Sequence, residues 1–146
     1  MTPYIDGGFL SSLLVKTPGR KLAWRMLQRF NPPYPLNYLH ELQVENLFTR
    51  CQLDPDAKVK TVGLEGARLW KFYLVEGVFE VKTAGWDNAF HFATRWTRTL
   101  TTDVPFLLLL HAALAAGSGA SHFLSFDSRA REFACRAGLK LASETL

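Results

Sequence analysis

Asp6 and Asp127 are the residues of this chain best placed to do chemistry. Each closes a short apolar run, Pro3-Tyr4-Ile5 before the first and Phe123-Leu-Ser-Phe126 before the second. A strand that ends on an acid just before a helix presents the carboxylate at the C-terminal edge of an α/β sheet, where such folds bind ligands. Carboxylates gathered at one rim are hard oxygen ligands, suited to Mg²⁺ or Mn²⁺. A cation held there lowers the pKa of a bound water and offsets charge building on a phosphate under attack. The chemistry to expect is metal-dependent cleavage of a phosphodiester.

Other residue types must be weighed beside these two. Asp127 precedes Ser128-Arg-Ala-Arg131 and is also a good helix N-cap, whereas Gly7-Gly8 after Asp6 asks for no carboxylate. Asp103, before Val104-Pro105, reads as a cap for the apolar helix that follows. His111 lies inside that helix and reads as a satisfied core histidine. His40, His91 and His122 have no metal-ligand spacing. Cys51 and Cys135 lack it too, and read as small half-buried thiols in a reducing compartment.

The elements that must position the acids alternate between short strands and helices. Tyr4-Ile5 reads as a strand, Phe9 to Val15 and Arg20 to Phe30 as helices, and Asn31-Pro-Pro-Tyr-Pro35 as a turn. Leu36 ends a second short strand. Asn37 caps a helix from Tyr38 to Cys51 that buries Leu39, Leu42, Leu47 and Phe48. A polar turn around Asp54 to Lys58 is followed by a helix from about Glu65 to Val75. Gly77 to Trp86 reads as loop or extended chain, and Asp87 caps a helix running to about Trp96. The last elements are the helix Phe106 to Ala116, the strand His122 to Phe126, the helix Ser128 to Ala137 and a strand Leu139 to Leu141. Such alternation predicts a short, mainly parallel sheet flanked by helices, one domain over residues 1–146.

Composition excludes several classes. A hydrophobic fraction of 48% with 21% charged residues suits a folded globular domain rather than a disordered chain. The apolar run Val104 to Ala116 is well short of the roughly 20 residues that cross a bilayer. With no secretory leader pattern at the start, a soluble cytoplasmic protein is expected. Lys and Arg number 17 against 13 for Asp and Glu, an excess compatible with a polyanionic partner. The aromatics between Trp70 and Trp96 are dense enough that some could face a second protein chain. Arg20, Lys21, Arg25 and Arg29 spread over one helix, as a solvated face or a phosphate track.

In this order the elements resemble the PIN domain, the fold of VapC-type toxins and other metal-dependent ribonucleases. Four blocks carry the likeness: Tyr4-Ile-Asp6-Gly-Gly-Phe-Leu10, Pro35 to Asn46, Leu108-Leu-Leu-His-Ala-Ala-Leu114, and Phe123-Leu-Ser-Phe-Asp127 with Gly138-Leu139. The resemblance implies a three-layer PIN-like sandwich, a rim of acids holding Mg²⁺ or Mn²⁺, RNA as substrate, an antitoxin partner and a homodimer. Asp6 and Asp127 fall on two of its acidic positions and Asn46 on its Asn. Gln43 and Leu108 stand where two further acids are usual. Glu41 and Glu45 lie about 200° around the helix from Gln43 and face away from it, and only a register shift that misplaces Asn46 and the apolar face would bring either into the site.

Three functions follow from these residues. One is a PIN-like pseudo-nuclease with impaired or lost hydrolysis that keeps nucleic-acid or antitoxin contacts. Another is an active Mg²⁺-dependent endoribonuclease of a type II toxin–antitoxin system, with Asp6, Gln43 and Asp127 as its catalytic residues and both aspartates on the metal. A third is a flavodoxin-shaped binding module in which Gly7-Gly8 forms an anion nest.

Overall fold

Tyr4 and Ile5, adjacent in one strand, send their side chains to opposite faces, and so do Phe123 and Leu124. That alternation builds three layers. The computed structural model describes residues 1–100 and 103–142. Along them run β1 (Pro3–Ile5), α1 (Gly7–Leu14), α2 (Arg20–Leu27), β2 (Tyr34–Leu36), α3 (Tyr38–Leu53), α4 (Ala57–Val75), β3 (Phe79–Val81), α5 (Trp86–Thr99), α6 (Phe106–Gly117), β4 (His122–Leu124) and α7 (Ser128–Arg136). β1 pairs in parallel with β4, Ile5 opposite Leu124, and β2 pairs in parallel with β3, Leu36 opposite Val81. β1 and β2 lie against each other and join the two pairs.

Ile5, Leu36 and Leu124 face one apolar cluster with Phe9, Leu13, Met26, Val44, Phe48 and Trp70, from α1 to α4. Tyr4 and Phe123 face a second with Ala89, Trp96, Leu110, Ala113 and Phe133, from α5 to α7. The parallel pairing and the helices on both faces are those of the PIN-like α/β sandwich. α6 is buried from Leu110 to Ala115, whereas Phe106 and Leu107 in its first turn are exposed, so the apolar helix is covered only over its middle and later turns. No helix among the described residues is long and apolar enough to cross a membrane.

Several local expectations need correction. α4 begins at Ala57 rather than near Glu65, because Asp56 caps it by accepting from Lys58 N at 2.8 Å. The segment Gly77 to Trp86, read as loop or extended chain, is extended over β3, whose ladder with β2 only tertiary packing supplies. α5 starts at Trp86 with Gly85 at its cap position, leaving Asp87 in the first turn. α6 follows Pro105 without a side-chain cap, so Asp103 does not cap it. The expected strand Leu139–Leu141 is a single bridge from Leu141 to Phe123. Gly7 and Gly8 sit in the first turn of α1, which is no anion nest.

Gly63 explains why α4 tolerates glycine. A Cβ there would run into Cys51 Cβ on α3, a branch point held by the helix rather than the end of a flexible chain. Gly63→Ala should therefore lower stability by about 2 kcal/mol through overpacking, although Ala alone favours a helix by about 1. Urea unfolding measures this; a variant as stable as the natural chain would show that α3 and α4 can part freely.

Candidate functional site: a carboxylate rim over a directed hydrogen-bond chain

Because β1 and β4 run in parallel, the residues just past them reach the same edge of the sheet. Asp6 N donates to Leu124 O at 3.1 Å, continuing the ladder by one residue. The Asp6 side chain is almost wholly buried, at 2% exposure, and caps α1 by accepting from Phe9 N at 2.7 Å. It therefore has a structural use that Gly7-Gly8 did not suggest. Ser125, also buried, hydrogen-bonds the Asp6 carboxylate and accepts from Asp127 N at 3.0 Å. One hydroxyl thus ties the two aspartates together.

The two carboxyls differ in electrostatics. Burial pushes Asp6 above the usual carboxylate range and the charge of Asp127 pushes the same way, while Ser125 and the Phe9 N–H oppose them. Asp127 is held below that range, chiefly by the Ala130 N–H at 3.1 Å, with Arg129 adding its own N–H at 2.8 Å and its guanidinium at 3.3 Å. It caps α7 as well as standing at the rim.

Gln43, half-buried on α3, lies over Gly7, where a Cβ would collide with its carboxamide. The absence of a side chain at Gly7 is what lets the amide rest beside Asp6. Behind it runs a chain of hydrogen bonds whose direction can be deduced. Asn37 Oδ1 accepts from Leu39 N at 3.0 Å, so its N–H₂ is the group donating to the Tyr4 hydroxyl at 3.3 Å. Tyr4 must then donate its own proton to His111 Nδ1, at 2.9 Å. His111 carries its proton on Nε2 and gives it to Gln43 Oε1 at 2.6 Å. His40 is fixed in the same way. Its Nε2 donates to Ile5 O at 2.6 Å, which leaves Nδ1 to accept from Asn37 N at 3.0 Å.

Burial and the all-neutral bonding agree. Burial lowers His40 to about 4, and burial with the neighbouring His40 ring lowers His111 well below its ordinary value. Tyr4 is pushed upward by its own desolvation. His111 is the satisfied core histidine that its place in an apolar helix led us to expect. His40, to which sequence reasoning assigned no role, is a helix cap that also grips the residue before Asp6. Ser125, Tyr4 and Asn37 form the rest of the support. Of these, His40 was findable from its position, three residues after Asn37, where a capping box places Glu or Gln.

Leu108 sits one turn before His111 on α6, half-buried against the α5–α7 cluster, and offers no ligand atom. Asn46, Glu41 and Glu45 are exposed on α3. Among the described residues no group of three or more His, Cys, Asp and Glu side chains is arranged to hold a metal ion. The donor set at the rim is correspondingly poor: Asp6 is occupied by three donors, Asp127 by a helix and an arginine, and the Gln43 oxygen by His111. These residues do not fit a tightly hydrated divalent cation.

No family model matches the chain, and no curated protein matches it. A solved structure does: VapC20 of Mycobacterium tuberculosis, described as a toxin that cleaves the sarcin–ricin loop, aligns with a TM-score of 0.61. The match covers 94% of this chain and 96% of that one at 15% sequence identity. Likeness at that identity defines the fold, a PIN-like sandwich of the kind VapC toxins use.

Proposed function

We propose that this chain is a PIN-domain protein of the VapC toxin type whose metal-dependent RNA hydrolysis is impaired or lost. Its rim keeps Asp6 and Asp127 but has an amide at Gln43 and a hydrocarbon at Leu108. The observation that carries this reading is the engagement of Gln43 Oε1 by His111 Nε2–H at 2.6 Å. The Gln43 oxygen, which could otherwise help a metal, is turned inward, and the core behind it consists of neutral donors directed at that oxygen. Nucleic-acid and antitoxin contacts, and a homodimer, are what the VapC likeness brings to this reading. Exposed apolar side chains such as Phe72, Val75 and Phe90 are compatible with a partner chain.

Calorimetric titration with Mn²⁺ tests it. The natural protein should bind Mn²⁺ more weakly than millimolar, and RNA cleavage in Mn²⁺ should not exceed that of Asp6→Ala. Tight binding with cleavage that Asp6→Ala abolishes would instead establish an active endoribonuclease.

A further inference from the structure

We infer that the cavity at the seam between β1 and β2 binds a small organic carboxylate, one with an apolar body and a hydrogen-bond acceptor at the end away from its charge. The cavity holds about 290 Å³, the lower end of the size range of small-molecule sites. It opens where β1 and β2 lie side by side yet belong to separate hydrogen-bonded pairs. Pro35, at the centre of β2, has no N–H to offer a neighbouring strand. The walls are apolar and partly rigid, formed by Pro3, Pro35, Leu36 and Leu114. Neither Asp6, Gln43 nor Asp127 lines this space, so the site is separate from the carboxylate rim and does not depend on whether metal binds there.

Two observations say what fills it. Asn37 lines the cavity and is only 5% exposed. Its Oδ1 accepts from Leu39 N and one amide hydrogen goes to the Tyr4 hydroxyl at 3.3 Å, while the other has no acceptor among the described residues. A buried donor left in that state is costly, and an acceptor carried by a ligand satisfies it. The second observation is charge. Lys82, on the exposed side, is the only charged residue lining the cavity. Its ammonium meets Glu80 at 2.9 Å in an exposed pair, a weak arrangement that leaves two further N–H groups for an anion. Beside it Gly85 occupies the cap position of the 14-residue α5 with no side chain to accept from the first amides. A carboxylate there meets an ammonium and a helix amino end, whereas a cation meets no acid among the lining residues; Asp87, in the first turn of α5, is not one of them. Because Asn37 also begins the chain through Tyr4 and His111 to Gln43, such a ligand would touch the support of the rim without touching the rim itself.

The test titrates the full chain with 4-acetylbenzoate, whose carbonyl lies across the ring from its carboxylate, and follows ¹⁵N spectra. Binding should saturate with a dissociation constant of about 0.1–1 mM, the strength open to a ligand of that size. The shifts should centre on the Asn37 side-chain N–H₂ pair and the amides of Thr83 and Gly85. Two analogues separate the contacts. The first, 4-isopropylbenzoate, keeps the shape and charge without the acceptor; the second, 4-methylacetophenone, keeps the acceptor without the charge. Each should bind about fivefold more weakly or worse, the loss of one hydrogen bond or one ion pair. Lys82→Met, at an exposed position, should weaken 4-acetylbenzoate about fivefold and leave 4-methylacetophenone unchanged. Asn37→Asp keeps an acceptor for Leu39 N but removes both amide donors, and should abolish binding of the acid. Should that variant fail to fold, Lys82→Met and the analogues still decide. No saturable binding of 4-acetylbenzoate, shifts centred elsewhere on the molecule, or equal affinity of Lys82→Met and the natural chain for the acid would overturn the proposal.

Discussion

Gln43→Glu combined with Leu108→Asp should turn this chain into a protein that binds Mn²⁺ at least a hundredfold more tightly, on the order expected from added carboxylate ligands, and that cleaves RNA. The geometry says why both changes are needed. Gln43 lies over Gly7 beside Asp6, so a carboxylate there would join the rim, but its nearest neighbour is the Nε2–H of His111. In the single variant Gln43→Glu, the new carboxylate would draw a proton onto His111 and form a buried pair with it instead of holding a cation. Leu108 stands one turn before His111 on the same face of α6. An acid at that position supplies a second new charge, and together the two outweigh what one imidazole can neutralise. Leu108→Asp should cost about 1–3 kcal/mol without metal, from lost apolar burial and a poorly solvated carboxyl, and Mn²⁺ should restore part of that. Calorimetry and thermal unfolding with and without Mn²⁺ read both effects. A double variant that folds yet stays metal-free would show that residues 43 and 108 do not occupy acidic positions of the rim.

The sequence exposes the rim better than its support. Asp6 and Asp127 could be placed on one edge because each follows an apolar run and precedes a helix, and parallel pairing then leaves little freedom. The same local logic gives the extents of α3, α6 and α7 to within a few residues. It fails where long-range contacts decide. Gly63 and Gly66 lie inside α4, at the places where α3 and the end of α1 approach it closely. β3 is three residues long and has meaning only as the partner of β2. The chain from Asn37 to Gln43 passes through Tyr4 and His111, which are far apart in sequence. No periodicity brings them together, and a histidine in an apolar helix says only that some partner must exist. Without that chain one cannot see which end of the Gln43 amide faces solvent, and this sets the chemistry of the rim.

Acidification should weaken the fold, and His40 should carry much of the loss. In the unfolded chain its imidazole takes up a proton near pH 6.5, whereas in the folded protein burial lowers it to about 4. Between those values the unfolded state binds the extra proton, so stability rises with pH and falls as pH drops. From pH 7 to pH 5 the contribution is about 2 kcal/mol, approaching about 3 by pH 4. His111 is shifted in the same direction and adds to it, while Asp6, whose carboxyl is raised, acts in the opposite sense by taking its proton first in the folded state. Asp127, held low, loses its stabilising charge only in stronger acid. The mechanism is specific. A proton on His40 Nδ1 removes the acceptor of the Asn37 N–H, and the charge gains only Asn37 Oδ1, 3.1 Å away and already accepting from Leu39. Urea unfolding at pH 7, 6 and 5 should show midpoints falling steadily. His40→Gln should lower stability at pH 7 by about 2–3 kcal/mol through a buried carbonyl or N–H left unpaired, and should flatten the pH dependence. A midpoint that holds or rises down to pH 5 would mean that the two histidines are not neutral and buried, and the directed chain that orients Gln43 would lose its basis.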